Sequence, residues 1–315
     1  AKVFDMTVAS TGLAAKRLKQ FGIPYASSTT HSASHAGYYP DALPLTLKLT
    51  FDPASGKLYG GQCVGYDGAD KRIDQIALLI KQGGTVYDLI KVEHAYAPPF
   101  SSAKDPIAIA GYVAGNIISG AMPVATWRQM AEADRCDTLF LDVRTREEHA
   151  FGAIPGSVNI PLDELRGRIG ELPRDKEIYI YCAVGLRGYL ALKILTGHGF
   201  TRVKNLSGGY KTYATATAPI ENKTATIRTN GKTDTQHTGE RIKTLKIDAC
   251  GLQCPGPVMK IKQAIDSIGE GERIEMVATD AGFSRDAQAW CNTTGNILIS
   301  NSEEKGKYTV VIEKG

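Results

Sequence analysis

The 315 residues contain no uninterrupted apolar run of the length a bilayer-crossing helix needs, about 18 residues. The richest stretch, Ile107 to Met122, is broken by Gly111, Gly115, Asn116 and Gly120, and no secretory leader is legible at the start. Cysteine is scarce. Six (Cys63, Cys136, Cys182, Cys250, Cys254, Cys291) in this length are too few for the disulfide framework of a small secreted scaffold. Charge of one sign is scarce too: a net charge of +4 is too mild to imply nucleic acid. No internal repeat is found. These absences lead to the expectation of a soluble, cytoplasmic protein in a reducing compartment, without membrane or nucleic-acid partners. With 43% hydrophobic residues, the chain has material for real cores and for two or three domains. It begins with Ala1, and Val3 to Ala9 reads as a strand already under way, so a piece of a longer protein is expected.

Composition divides the chain into blocks. Residues 1–119 hold a helix-period run at Ala14–Phe21 closed by Gly22. They also hold an alternating strand at Leu45–Phe51, a turn at Asp52–Gly56 leading into Lys57–Val64, and a helix at Arg72–Lys81. The block reads as an α+β unit. Residues 123–215 place helical stretches after two short buried-strand runs, Leu139–Arg144 and Ile178–Tyr181, which favours a parallel α/β sheet. Residues 216–243, rich in Thr, Lys, Asn and Gly, read as a flexible linker. Residues 244–315 follow a β-α-β-α-β(β) pattern, a small two-layer α/β sandwich: Leu245–Asp248, Pro257–Ile265, Arg273–Ala278, Asp286–Cys291 and Tyr308–Ile312.

The chemistry is concentrated at Cys182. It ends an apolar run and is followed by Ala183, Val184, Gly185, Leu186, Arg187 and Gly188 before a helix-like stretch. Backbone N–H groups at a helix start point at such a sulfur and favour its anionic form. A free cysteine is most often a small buried hydrophobe; the glycines and Arg187 argue against that here. Together with Leu141-Asp142-Val143-Arg144-Thr145-Arg146-Glu147-Glu148 and Gly152-Ala153-Ile154-Pro155-Gly156-Ser157-Val158-Asn159-Ile160-Pro161-Leu162, this loop resembles the rhodanese family. Ala153 departs from the histidine many members carry. The resemblance implies that Cys182 accepts sulfane sulfur as a persulfide and donates it to a nucleophile. It also implies that Arg187 holds the anionic donor or steadies the loop, with Asp142 and Arg144 bracing it. Related phosphatases space cysteine and arginine by five residues; four lie between Cys182 and Arg187, which favours a sulfur-sized pocket.

Asp248-Ala249-Cys250-Gly251-Leu252-Gln253-Cys254-Pro255-Gly256-Pro257, with Trp290 to Gly295, resembles the TusA/SirA sulfur carriers and their G-L-x-C-P-x-P signature. The resemblance implies that Cys254 carries sulfur as a persulfide. Cys250, at C-x3-C spacing, either resolves that persulfide as a disulfide or is simply buried; no ligand set for zinc accompanies the pair. Cys291 reads as core, and Cys63 and Cys136 have no supporting motif.

In the first block, His94 to Pro106, Tyr38-Tyr39-Pro40 and Gly68 to Asp74 resemble the pyridine nucleotide-disulfide oxidoreductase-type dimerisation domain of coenzyme A-disulfide reductases and NADH-dependent persulfide reductases. The resemblance implies a homodimer through residues 1–119. It places Tyr38 and Tyr96 at a disulfide or persulfide site, where a phenol can donate a proton to a leaving thiolate; buried interface tyrosines are the alternative. No G-x-G-x-x-G fingerprint occurs. FAD, NADH and coenzyme A are therefore implied for the full-length protein and no cofactor for this chain alone. The combined expectation is a rhodanese-type sulfurtransferase moving sulfur from Cys182 to Cys254. Its donor would be thiosulfate, a low-molecular-weight persulfide or coenzyme A persulfide, and protein thiols would be acceptors. The rival is a non-catalytic dimerisation and docking fragment.

Overall fold

The computed structural model describes residues 1–218 and 243–315, except 4, 251, 253–255, 280–282 and 305–306 and the side chains of 285, 289, 292 and 293. It separates into two compact units, Ala1–Thr217 and Ala218–Gly315.

The first unit holds two sheets. Strands β1 (Lys2–Val3), β2 (Met6–Gly12), β3 (Ala26–Ala33), β4 (Pro44–Phe51) and β5 (Leu58–Gly65) form an antiparallel sheet in the order β1-β2-β5-β4-β3. The expected single strand over Val3–Ala9 is instead a hairpin, β1 turning into β2. β4 and β5 are joined at Asp52, whose side chain accepts the Ala54 and Ser55 N–H groups at 2.9 and 2.7 Å and so closes an Asx turn. Alternation along β4 sends Leu45, Leu47, Leu49 and Phe51, each at most 1% exposed, toward the helices. Such burial contributes about 1.5–3 kcal/mol per side chain.

Helix α1 (Ala15–Gln20) follows β2, and α2 (Ala69–Lys81), α3 (Val86–Lys91) and α4 (Pro106–Ile118) supply the other half of this core through Ile73, Ile76, Val86, Leu89, Ile107, Ala110 and Ala114. The apolar stretch beginning at Ile107 is thus a 13-residue buried helix. Among the described residues no helix is long and apolar enough to cross a membrane. Asp105 starts α4: its side chain accepts the Ile107 N–H at 3.1 Å and Pro106 occupies the first turn.

The second sheet comprises β6 (Val124–Ala125), β7 (Thr138–Asp142), β8 (Val158–Asn159), β9 (Glu177–Tyr181) and β10 (Val203–Leu206), all parallel in the order β6-β10-β9-β7-β8. Helices α5 (Trp127–Glu132), α6 (Arg146–Phe151), α7 (Leu186–Gly197) and α8 (Gly209–Thr217) accompany it. Each of β7 and β9 runs into the helix that follows it, the alternation read from the sequence.

Strand β3 carries no apolar alternation and was not legible as a strand. It pairs with β4 along its whole length, and its outer face meets the second sheet's domain. The Thr29 N–H donates to Ser207 Oγ at 2.9 Å. The two ring nitrogens of His31 lie 2.9 Å from Thr46 Oγ1 and 2.8 Å from Thr212 Oγ1. Burial, aided by the Lys211 charge, pushes the His31 pKa down to about 4, against about 6.5 for an exposed imidazole. Between those values the unfolded chain binds a proton that the folded chain refuses. Stability is therefore lost as pH falls from about 6.5 to about 4, by up to about 3 kcal/mol. In urea titrations across this window, His31→Gln will show a shallower pH dependence than the wild type; parallel profiles would contradict the assignment.

The second unit is a four-stranded sheet in the order β11-β12-β14-β13, with β11 (Thr244–Asp248) parallel to β12 (Arg273–Ala278) and the other pairs antiparallel. β13 is Ile297–Glu304 and β14 Lys307–Glu313. Helices α9 (Gly256–Asp266) and α10 (Phe283–Thr294) cover the core of Ile261, Ile265, Ile274, Met276, Phe283, Val310 and Ile312. The edge strand β13 was the one element the β-α-β-α-β(β) pattern left in brackets.

Candidate functional site

Strand β9 ends at Tyr181 and Cys182 follows at once, 1% exposed. The chain then needs only three residues to enter α7. Gly185 makes this possible: it caps the helix at φ 115°, in the left-handed region that suits glycine. Its N–H donates to Cys182 Sγ at 3.1 Å, and its carbonyl accepts the Tyr189 N–H and Asn205 Nδ2, both at 2.9 Å. Gly188 lies so close to Asn205 Oδ1 that a Cβ there would strike it. Val184 and Leu186 of the same loop are 39% and 66% exposed, although the sulfur itself is buried.

The carbonyls of the same loop are fixed from the other side. The first-turn N–H groups of α8 donate to them, Tyr210 to the Cys182 carbonyl at 2.8 Å and Lys211 to the Ala183 carbonyl at 3.0 Å. Gly209, at φ 60°, sits where any Cβ would run into both carbonyl oxygens.

Arg187 is not a free cation. Its two terminal nitrogens donate to the two carboxylate oxygens of Glu148, both at 2.7 Å, a bidentate pair. That pair raises the Arg187 pKa, with the Cys182 sulfur contributing in the same direction. Burial works to raise the Glu148 carboxyl, yet Arg187 and the Thr145 N–H hold it below the usual carboxylate range. Glu148 was missed as a site residue. Its local role was legible, since Thr145-Arg146-Glu147-Glu148 is a capping box and both of its bonds are present at the start of α6; its partner 39 residues on was not.

Asp142 and Arg144 form a buried pair at 2.7 Å beneath the loop. Burial disfavours the Asp142 charge, but hydrogen bonds from Arg144 and from His149, 2.9 Å away, hold its carboxyl below the ordinary range. Asn159 Nδ2 donates to the carbonyls of both Asp142 and Arg144 at 3.0 Å. The Arg144 guanidinium also lies over the Tyr210 ring, 4.2 Å from its centroid. Arg144 thus touches the residue whose N–H donates to the Cys182 carbonyl.

In the first sheet's domain the hydroxyls of Tyr38 and Tyr96 come within 3.4 Å of each other, both exposed to solvent, and the contact raises the Tyr38 pKa. Their loops are held by the Ala36 N–H on the Pro98 carbonyl at 3.2 Å and by Arg72. Arg72 is 1% exposed; it donates to Ser34 O and to Asp105 Oδ2, both at 2.8 Å.

In the second unit Cys254 lies outside the described residues, as does most of the 216–243 segment. Cys250 is half-buried; its N–H donates to Asp248 Oδ1 at 2.8 Å, and Asp248 raises its thiol pKa. Burial pushes Cys63 up to about 12 and Cys291 up to about 11, so both are poor nucleophiles at neutral pH. Cys136 is exposed.

Three family models match the chain in succession. They are the pyridine nucleotide-disulphide oxidoreductase dimerisation domain over residues 1–106, the rhodanese-like domain over 124–216 and sulfurtransferase TusA over 245–314. Coenzyme A disulfide reductase of Staphylococcus epidermidis is 44% identical over 113 residues, 36% of this chain and 25% of that protein. Among solved structures, reduced CoADR-RHD of Bacillus anthracis is 50% identical with a TM-score of 0.66, covering 68% of this chain and 38% of that one. The NAD-dependent persulfide reductase from A. fulgidus is 39% identical with a TM-score of 0.59, over 66% and 37%. The chain thus spans 25% of the length of the curated relative and under two fifths of either solved chain. It carries, in order, a pyridine nucleotide-disulphide oxidoreductase dimerisation domain, a rhodanese-like domain and a TusA domain, in a segment similar to coenzyme A disulfide and persulfide reductases.

Proposed function

We propose that this chain is the sulfurtransferase segment of a larger flavin-dependent coenzyme A disulfide or persulfide reductase. The observation that carries this reading is the Gly185 N–H directed at Cys182 Sγ at 3.1 Å, in a loop that opens a helix. An N–H donor at a helix start stabilises a sulfur anion, whether a thiolate or the terminal sulfur of a persulfide. The Arg187–Glu148 pair holds the first turn of that helix in place.

The Cys182 thiolate attacks the sulfane sulfur of the donor. The donor's S–S bond breaks, and its electron pair leaves on sulfite if the donor is thiosulfate or on a thiolate if it is a persulfide such as that of coenzyme A. Cys182 keeps the sulfur as a persulfide. An acceptor thiolate then attacks the terminal sulfur, the new S–S bond forms as the old one breaks, and Cys182 returns as thiolate with no net oxidation. The acceptor in this reading is Cys254, tethered through residues 216–243, with an effective concentration of about a millimolar; Cys250 stands by as its resolving thiol. Residues 1–119 form a homodimer, with Tyr38 and Tyr96 as proton donors at the reductase site. FAD and NADH would do their work in the larger protein, since these 315 residues hold no G-x-G-x-x-G stretch; no step above passes through them.

Intact-mass analysis with peptide mapping after loading tests this. Thiosulfate or a persulfide donor should add one sulfur atom at Cys182, and cyanide should remove it as thiocyanate. No added mass and no thiocyanate with either donor would leave a docking and dimerisation fragment.

A further inference from the structure

Three features lie outside the chemistry just described: a cavity of about 440 Å³ beside Arg166 and Lys193, the buried Arg72–Asp105 pair, and the junction at which His31 meets α8. The charged side chains that line the cavity, Asp163, Arg166 and Lys193, are all exposed surface groups, and the ion pair is accounted for by the packing it supports. The junction leads further.

The geometry points to His31 as a positioning residue for the Cys182 loop, by which the dimerisation domain sets the sulfurtransfer geometry of its neighbour. This inference rests on the proposed chemistry at Cys182. His31 Nε2 lies 2.8 Å from Thr212 Oγ1, and Thr29 N–H holds Ser207 Oγ at 2.9 Å, so β3 grips both ends of the turn that opens α8. The next N–H groups of that helix, from Tyr210 and Lys211, grip the carbonyls of Cys182 and Ala183. A peptide is planar and trans, so its C=O and N–H point in opposite directions. Holding the Cys182 and Ala183 carbonyls toward α8 therefore turns the Ala183 and Val184 N–H groups away from it, along the loop whose Gly185 N–H already meets Sγ. A tilt of α8 would rotate those peptides and disperse the donors that a persulfide anion needs. Of the two bonds from β3, that of Thr29 holds Ser207 ahead of the helix, whereas that of His31 is the side-chain link into α8 itself, so it is the one a substitution can remove to test how the dimerisation domain reaches the loop.

The test uses the full chain with His31→Ala, Thr212→Val, the double variant and His31→Gln. Two rates are measured: single-turnover sulfur loading of Cys182, and its alkylation by iodoacetamide located by peptide mapping. Each single substitution should slow loading about five- to tenfold through the loading step, with the donor's half-saturation concentration unchanged, as expected of misplaced catalytic donors. Both should shift the alkylation rate. The double variant should be no worse than either single one, because both remove the same link. His31→Gln, whose amide can still reach Thr212, should recover to within about twofold, whereas a loss due only to weakened packing would not be restored by that link. Rates within about twofold of wild type in both single variants, or losses that multiply in the double variant, would overturn the inference. If the wild type takes up no sulfur, the proposed chemistry fails, and the alkylation rates alone still decide whether His31 positions the loop.

Discussion

Cys182→Ala will take up no sulfane sulfur at the loop, and thiosulfate:cyanide transfer will fall at least about a thousandfold, because removing a nucleophile removes the covalent step itself. The thiol is 1% exposed and packed in the same core as Leu141, Ile180 and Leu192, so the substitution creates a small void. Its cost in stability should be only about 1 kcal/mol, and the variant should fold as the wild type does. Loss of transfer with retained fold is what separates the enzyme reading from the docking reading. The companion variant Cys254→Ala should keep its label on Cys182 and lose delivery to the carrier domain. Cys254 labelled equally well in Cys182→Ala and in wild type would refute the relay order, leaving two cysteines loaded independently.

Asp105→Ala should destabilise the first unit by about 3–5 kcal/mol, the usual cost of removing one partner from a buried ion pair. Arg72 and Asp105 have side chains 1% and 0% exposed. Without the carboxylate the guanidinium keeps its bond to the Ser34 carbonyl at 2.8 Å but loses its counter-charge. The same carboxylate accepts Ser101 Oγ at 2.7 Å and the Ile107 N–H at the start of α4, so the loop bearing Tyr96 loses its anchor as well. A urea denaturation midpoint followed by far-UV circular dichroism will report the loss. Asp105→Asn, which keeps the acceptor oxygen and the cap, should cost less than the alanine variant. A loss below about 1 kcal/mol for Asp105→Ala would show that Arg72 finds water or another acceptor, which its burial argues against.

Both predictions concern residues whose surroundings were unequally visible in the chain. The Cys182 loop was legible because strand, cysteine, glycine and helix are consecutive, and a local rule about helix N-termini acts over that span. Asp105-Pro106 carries a local signal of the same kind for the start of α4, but it was read only as part of the His94–Pro106 segment. Arg72 lay inside a helix that periodicity identified, but nothing local marked it as buried. Its partner stands 33 residues away, and an arginine in a helix is ordinarily at the surface.

Glu148 shows the division within one side chain. Its carboxylate accepts the Thr145 N–H as a four-residue capping pattern dictates, whereas its bidentate grip on Arg187 depends on α6 and α7 being brought together by the parallel sheet.

Strand β3 marks the limit of local reading. Ala-Ser-Ser-Thr-Thr-His-Ser-Ala carries neither alternation nor apolar bulk, so no periodicity rule selects it. It becomes a strand because β4 offers it a full ladder and because hydroxyls and an imidazole suit a face that meets Ser207 and Thr212 rather than oil.

By itself the sequence determined the order of the three domains, the cysteine at the strand-to-helix junction and the loop N–H that adjoins it, since these rest on contacts between near neighbours in the chain. The tertiary structure alone decided which carboxylate neutralises Arg187, which arginine lies buried on Asp105, and that a histidine of the first domain reaches the helix clamping the Cys182 loop. Those pairings join residues 33 to 181 positions apart, and only folding brings such groups within hydrogen-bond range.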